Sequence, residues 1–108
     1  MSRSYSEEFL VEMYRADPNR TGVALAHACV KGNLPAKYVA QALGVSRMTI
    51  YSWFRGKPIR DKNRQVAEVF TDLVEGDVVK GILPAKTLID AKKYLEEMIG
   101  EQIGRAHV

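Results

Sequence analysis

Six cations, Arg47, Arg55, Lys57, Arg60, Lys62 and Arg64, crowd residues 46–64 against a single acid, Asp61. Guanidinium and ammonium groups at that density do one kind of chemistry well: they hold a polyanion. The flanks have the opposite sign. Residues 65–108 carry eight acids and five bases, and residues 1–17 four acids and two bases, so the net charge of +3 conceals a basic middle. Other reactive residues offer little. His27 and Cys29 are two apart and face different ways on a helix, and His107 is the only other histidine, so packing is their expected role. Glu96-Glu97 and the remaining acids read as solvated faces. With no nucleophile beside a base, no glycine-rich phosphate loop and no cysteine–histidine framework, neither enzyme activity nor a metal or cofactor is expected.

Such cations select nothing unless rigid elements position them, and here those elements are helices. No stretch alternates as a strand does, whereas helical spacing recurs throughout. Ser6-Glu7-Glu8 supplies a capping hydroxyl and then acids near a positive helix end. Phe9, Leu10, Met13 and Tyr14 follow on one face until Asp17-Pro18. Thr21 is the expected cap of a second helix through Val30, closed at Lys31-Gly32 by glycine in the left-handed conformation. A third helix starts at Pro35 and runs to about Leu43, a fourth spans Arg47–Arg55, and a fifth begins near Arg60. The fifth presents Val66, Val69, Phe70, Leu73 and Val74 as one apolar stripe. A last helix is expected near Ala85–Ile99, with Gly100 as terminator and Glu101–Val108 fraying.

Two joints share wording: "KGNLPAK" at 31–37 and "KGILPAK" at 80–86. The residues downstream of each do not match, so the expectation is one helix-joining device used twice rather than a duplicated domain. At each, glycine ends a helix, leucine fills the corner and proline begins the next helix.

The chain of 108 residues, 46% apolar and 27% charged, fits one small all-α domain. The expected architecture is a bundle of five to six helices: residues 1–64 hold the N-terminal helices and a helix-turn-helix (36–56), and residues 65–108 a C-terminal helical hairpin arm that is the candidate place for oligomerisation. The Tyr94, Leu95, Met98 stripe in that arm is either core or a self-association surface. No apolar run approaches a membrane span, and Met1-Ser2-Arg3-Ser4-Tyr5 lacks the apolar stretch of a secretory signal. A lone cysteine, Cys29, permits no internal disulfide. A cytoplasmic location is the expectation.

Residues 36–56, "AKYVAQALGVSRMTIYSWFRG", carry many constraints at fixed spacing. Ala40 is small where a second helix must approach. Gly44 falls where a tight turn needs positive φ. Val39, Leu43, Val45, Ile50 and Trp53 can lock two helices together, Ser46 can cap the second, and Gly56 can end it. This stretch resembles the helix-turn-helix of lambda-repressor/Cro-like DNA-binding proteins, the group common among phage and prokaryotic regulators. The Trp53-Phe54 pair is also similar to that of a homeodomain recognition helix. That family places asparagine two residues beyond, however, where this chain has Arg55-Gly56-Lys57, so the repressor-like form is preferred.

The resemblance implies a second helix lying in the major groove of double-stranded DNA. Arg47, Met48, Tyr51, Ser52 and Arg55 are then its outward residues, with Arg47 suited to guanine and Met48 to a thymine methyl. Lys37, Ser46, Thr49, Arg55, Lys57, Arg60, Lys62 and Arg64 are the candidate phosphate contacts. One such module seldom binds alone, so a homodimer or higher homo-oligomer is expected. The expected function is that of a sequence-specific transcriptional regulator of phage or prokaryotic type. The alternative is the DNA-recognition subunit of a phage packaging assembly, similar to small terminase subunits.

Overall fold

A computed structural model describes residues 4–98, and Gly100 and the tail 101–108 lie outside the described residues. The described chain is all helical: α1 Glu7–Arg15, α2 Thr21–Lys31, α3 Ala36–Leu43, α4 Arg47–Phe54, α5 Asp61–Val79 and α6 Leu88–Met98. Their starts follow local chemistry. Ser6 caps α1, its hydroxyl accepting the Phe9 N–H at 3.1 Å, with Glu7 and Glu8 in the positive first turn. Thr21 does not cap α2; it is the first helical residue, and the cap is Arg20, whose side chain makes no capping bond. Pro35 is likewise one position earlier than expected, capping α3 in an extended conformation.

The longest helix, α5, lies against α2 in the most extensive of the helix pairings, while α6 packs on α3 and α4 on both α2 and α3. Met13, Leu25, Leu34, Val39, Ile50, Phe54, Phe70, Val74 and Leu95 are all fully buried or nearly so, and they belong to one core cluster. Residues on both sides of position 64 therefore share an interior. Of the expected α5 stripe, Val66, Phe70 and Val74 are buried, and Val69 and Leu73 lie half-covered at its edges. Leu95 and Met98 are buried, and the half-buried Tyr94 donates its hydroxyl to the Asp77 carboxylate of α5. Leu95 and Met98 of that stripe are thus core, and Tyr94 lies at its edge. Tyr14 departs from its expected face: it is exposed, its ring set edge-on against His27 at 5.4 Å.

The two joints close their helices with the same hydrogen bonds but one residue out of register. After α5, Lys80 caps and Gly81 takes the left-handed conformation (φ 82°), with the Ile82 N–H reaching back to Asp77. After α2, Gly32 is the cap at ordinary right-handed angles (φ −81°), and Asn33 is the left-handed residue (φ 53°), with the Leu34 N–H reaching back to Cys29. The expectation that Gly32 supplies positive φ is therefore corrected. Its lack of a side chain serves packing: a Cβ there would lie 3.2 Å from Leu83 Cδ1 and 3.3 Å from both the Ala28 carbonyl and Val74.

The joints also touch. Ala85 donates its N–H to the Gly32 carbonyl at 2.9 Å, and the Asn33 amide donates to the Ala85 carbonyl at 2.9 Å. On the other side, the Asn33 Oδ1 accepts the Ser4 N–H, and Tyr5 donates its hydroxyl to the Leu34 carbonyl. The shared leucines, Leu34 and Leu83, are both buried at this contact, as expected. The second joint does not start a helix at Pro84. Its Leu83–Pro84 bond is cis, and α6 begins only at Leu88, where the Thr87 hydroxyl accepts the Asp90 N–H. The single device used twice is replaced by two different corners packed against each other.

Candidate nucleic-acid interface

Helices α3 and α4 form a helix-turn-helix whose turn is built from the predicted residues. Gly44 is left-handed (φ 71°, ψ 31°), and its N–H and that of Val45 close onto the carbonyls of Gln41 and Ala40. Nothing lies within 4 Å of a Cβ built on Gly44, so the backbone angle alone calls for glycine here. Ser46 then turns extended and accepts the Thr49 N–H at 3.1 Å, capping α4. Val39, Ala40, Leu43, Ile50 and Trp53 are buried between the helices, and Val45 is half-buried.

Two further grips fix how α4 is aimed. At its C-terminal end the backbone of Gly22 in α2 sits directly on Trp53. A Cβ at Gly22 would fall 2.0 Å from the Trp53 carbonyl oxygen, so only glycine permits this approach. At the side, Phe54 is held in a ring cluster with Tyr5 and Phe9, at centroid separations of 6.3 and 5.8 Å. Sequence reasoning missed Gly22, because its partner lies 31 residues away in the chain.

On this rigid helix Arg47, Tyr51 and Arg55 follow at four-residue steps, with Met48 and Ser52 beside them. All five share the side opposite Ile50 and Trp53. Arg47, Met48 and Arg55 are exposed, and Met48 is 82% accessible, an apolar side chain standing free in water. Tyr51 and Ser52 are half-buried. The Tyr51 ring is packed edge-on against both Phe9 and Phe54 at 5.9 Å, which commits its body to the fold.

The remaining sequence candidates divide into those held within the fold and those standing apart. The Ser46 hydroxyl donates to the Thr49 hydroxyl at 3.0 Å, so both are engaged in the cap. Lys37 is exposed, its ammonium 5.9 Å from the Tyr38 ring centroid. Lys57, Arg60 and Lys62 are exposed. Among the described residues no carboxylate pairs with any of these, nor with Arg47 or Arg55. Arg64 is the exception, paired with Asp61 one turn earlier. Lys57 and Arg64 line one open cleft together with Arg20, which the sequence reading did not include. The Arg20 guanidinium donates to the Gly56 carbonyl at 3.3 Å and so reaches the end of α4 from the start of α2. Nothing in the local pattern around Arg20 signals this.

Cys29 is fully buried, and burial pushes its thiol up, away from the reactive thiolate. His27 is held below its ordinary range, first by desolvation and then by the Lys31 cation. Among the described residues no three His, Cys, Asp or Glu side chains converge as a metal site, and no helix is long and apolar enough to cross a membrane. In comparisons with protein-family models, curated proteins and solved structures, the chain matches none.

Proposed function

We propose that this chain binds double-stranded DNA sequence-specifically, laying α4 in the major groove as a transcriptional regulator of phage or prokaryotic type. The observation that carries the reading is the outward side of α4. It is a short, firmly braced helix that presents Arg47, Met48 and Arg55 to solvent without a carboxylate among them. Arg47, in the first turn, has the fork that pairs with guanine, and Met48 beside it has the apolar surface for a thymine methyl. Lys37, ahead of this helix in the chain, and Lys57, Arg60 and Lys62, behind it, are exposed and supply phosphate contacts that set register without reading bases.

Selection of bound duplexes from a random pool tests the proposal. A recovered consensus is the expected result, and affinity should fall with salt at a log–log slope of about −4 if four phosphates are neutralised. Binding that is absent, or that is equal on all sequences, removes the reading.

A further inference from the structure

The exposed large apolar side chains are unevenly placed. Of the seven among the described residues, Val79, Ile82, Leu88 and Ile89 fall within eleven positions around the second joint. There an open groove runs between the joint and α6, with Ile82 on one wall and Asp90, Lys93, Tyr94 and Glu97 on the other. Asp90, Lys93 and Glu97 follow along α6 at steps of three and four, and Lys86, which also lines the groove, stands two residues before the helix begins. Those steps keep the three helical residues in a row on one side of α6, and Lys86 extends the row's order of charge beyond its start.

The order of signs along that row is plus, minus, plus, minus. Reversed end to end, it becomes its own complement. Alternating charges often neutralise one another along a single helix, but none of these four forms an ion pair with another described residue. From the charge pattern and the apolar residues beside it, we propose that α6 and the second joint dock a second copy of this chain. The two α6 helices run antiparallel about a two-fold axis.

In that arrangement Lys86 of one copy faces Glu97 of the other, and Asp90 faces Lys93. Each contact occurs twice, as a two-fold interface requires. Ile89 lies just before Asp90 on the helix and Ile82 across the groove, so apolar surface flanks the charged row and leaves water on pairing. The row sets orientation, because a parallel pairing would place like charges together. This pairing is independent of DNA binding; should both hold, the selected DNA sites are palindromic.

The test is a mass measurement by light scattering on the full chain without DNA, over a range of concentrations. The expected mass for the native sequence is twice the 12.1 kDa of one chain. Asp90→Lys gives a copy with two central cations, and Lys93→Asp gives one with two central anions. Each variant alone should dimerise about ten- to a hundredfold more weakly, since two attractive pairs become repulsive. An equimolar mixture of the two should recover the dimer, because each cationic row then faces an anionic one. Misfolded variants could not recover on mixing. A monomeric native chain, a ring of many subunits, a single variant that dimerises normally, or a mixture that stays monomeric overturns the proposal.

Discussion

Gly22→Ala adds one methyl group at the point where α2 supports the C-terminal end of α4. The added carbon would lie 2.0 Å from the Trp53 carbonyl oxygen, 2.6 Å from its carbonyl carbon and 3.0 Å from its Cα. All three are backbone atoms, so no side chain can rotate away, and the two helices must separate by roughly 1 Å to restore normal contact. Overpacking of this kind costs about 1–3 kcal/mol, and the rigidity of both partners favours the upper end. Alanine's better helix propensity returns less than about 1 kcal/mol, because position 22 lies in the first turn. The net expectation is a loss of about 2 kcal/mol, or a fall in Tm of about 8–16 °C for a domain of this size. Thermal unfolding followed by far-UV circular dichroism measures it. Gly76→Ala is the matched comparison: it is also a helical glycine, but nothing lies within 4 Å of its Cβ. It should gain up to about 1 kcal/mol. If Gly22→Ala melts with or above the native chain, α2 does not brace α4 in the way described.

Other expectations concern the turn, the corner, the reading face and pH. Gly44→Ala forces a side chain into left-handed backbone and should cost about 1–2 kcal/mol with no clash involved, read by the same melts. Asn33→Gly keeps positive φ accessible but removes the amide that links Ser4 to Ala85; a loss of about 1–2 kcal/mol in denaturant unfolding is expected. Arg47→Ala should cost about 1–3 kcal/mol of DNA affinity and relax preference at one base pair, whereas Lys62→Ala should weaken all sequences alike and flatten the salt dependence. His27 has a folded pKa held below its unfolded one, so the unfolded chain takes up a proton first as pH falls. Stability should therefore drop on acidification through the ordinary histidine range, by a small amount given the exposure of the ring, and His27→Gln should remove that part of the pH dependence.

Features set by neighbours in the chain were legible from sequence. Gly44 in the turn, Ser46 as cap and Gly56 as terminator each answer a local backbone demand, and the structure has all three where the spacing places them. Ser6 and the apolar stripe of α5 were readable for the same reason. What escaped was set by distant partners. Gly32 looks like a helix terminator, yet it is small because Leu83 and Val74 press on it. Gly22 looks like a weak spot in a helix start, yet it accommodates Trp53. Arg20 carries no local signal and acquires its place only when α2 meets the end of α4. The start of α6 was misplaced because the word shared by the two joints suggested a shared geometry, while their surroundings require two.

The contact between those joints has a bearing on synthesis. Every residue of the helix-turn-helix has been joined to the chain once position 56 is made. The corner that leads into α3, however, is completed by Leu83 and Ala85, which cover Gly32 and bond to Gly32 and Asn33. Until those residues emerge, the Gly32 carbonyl and the Asn33 amide lack their native partners, and α3 has an uncovered face where α6 belongs. The nascent chain thus has the sequence of its reading helices well before it has the surface that orients them. A chain interrupted between 56 and 83 carries every proposed base-contacting residue but no finished frame to hold them.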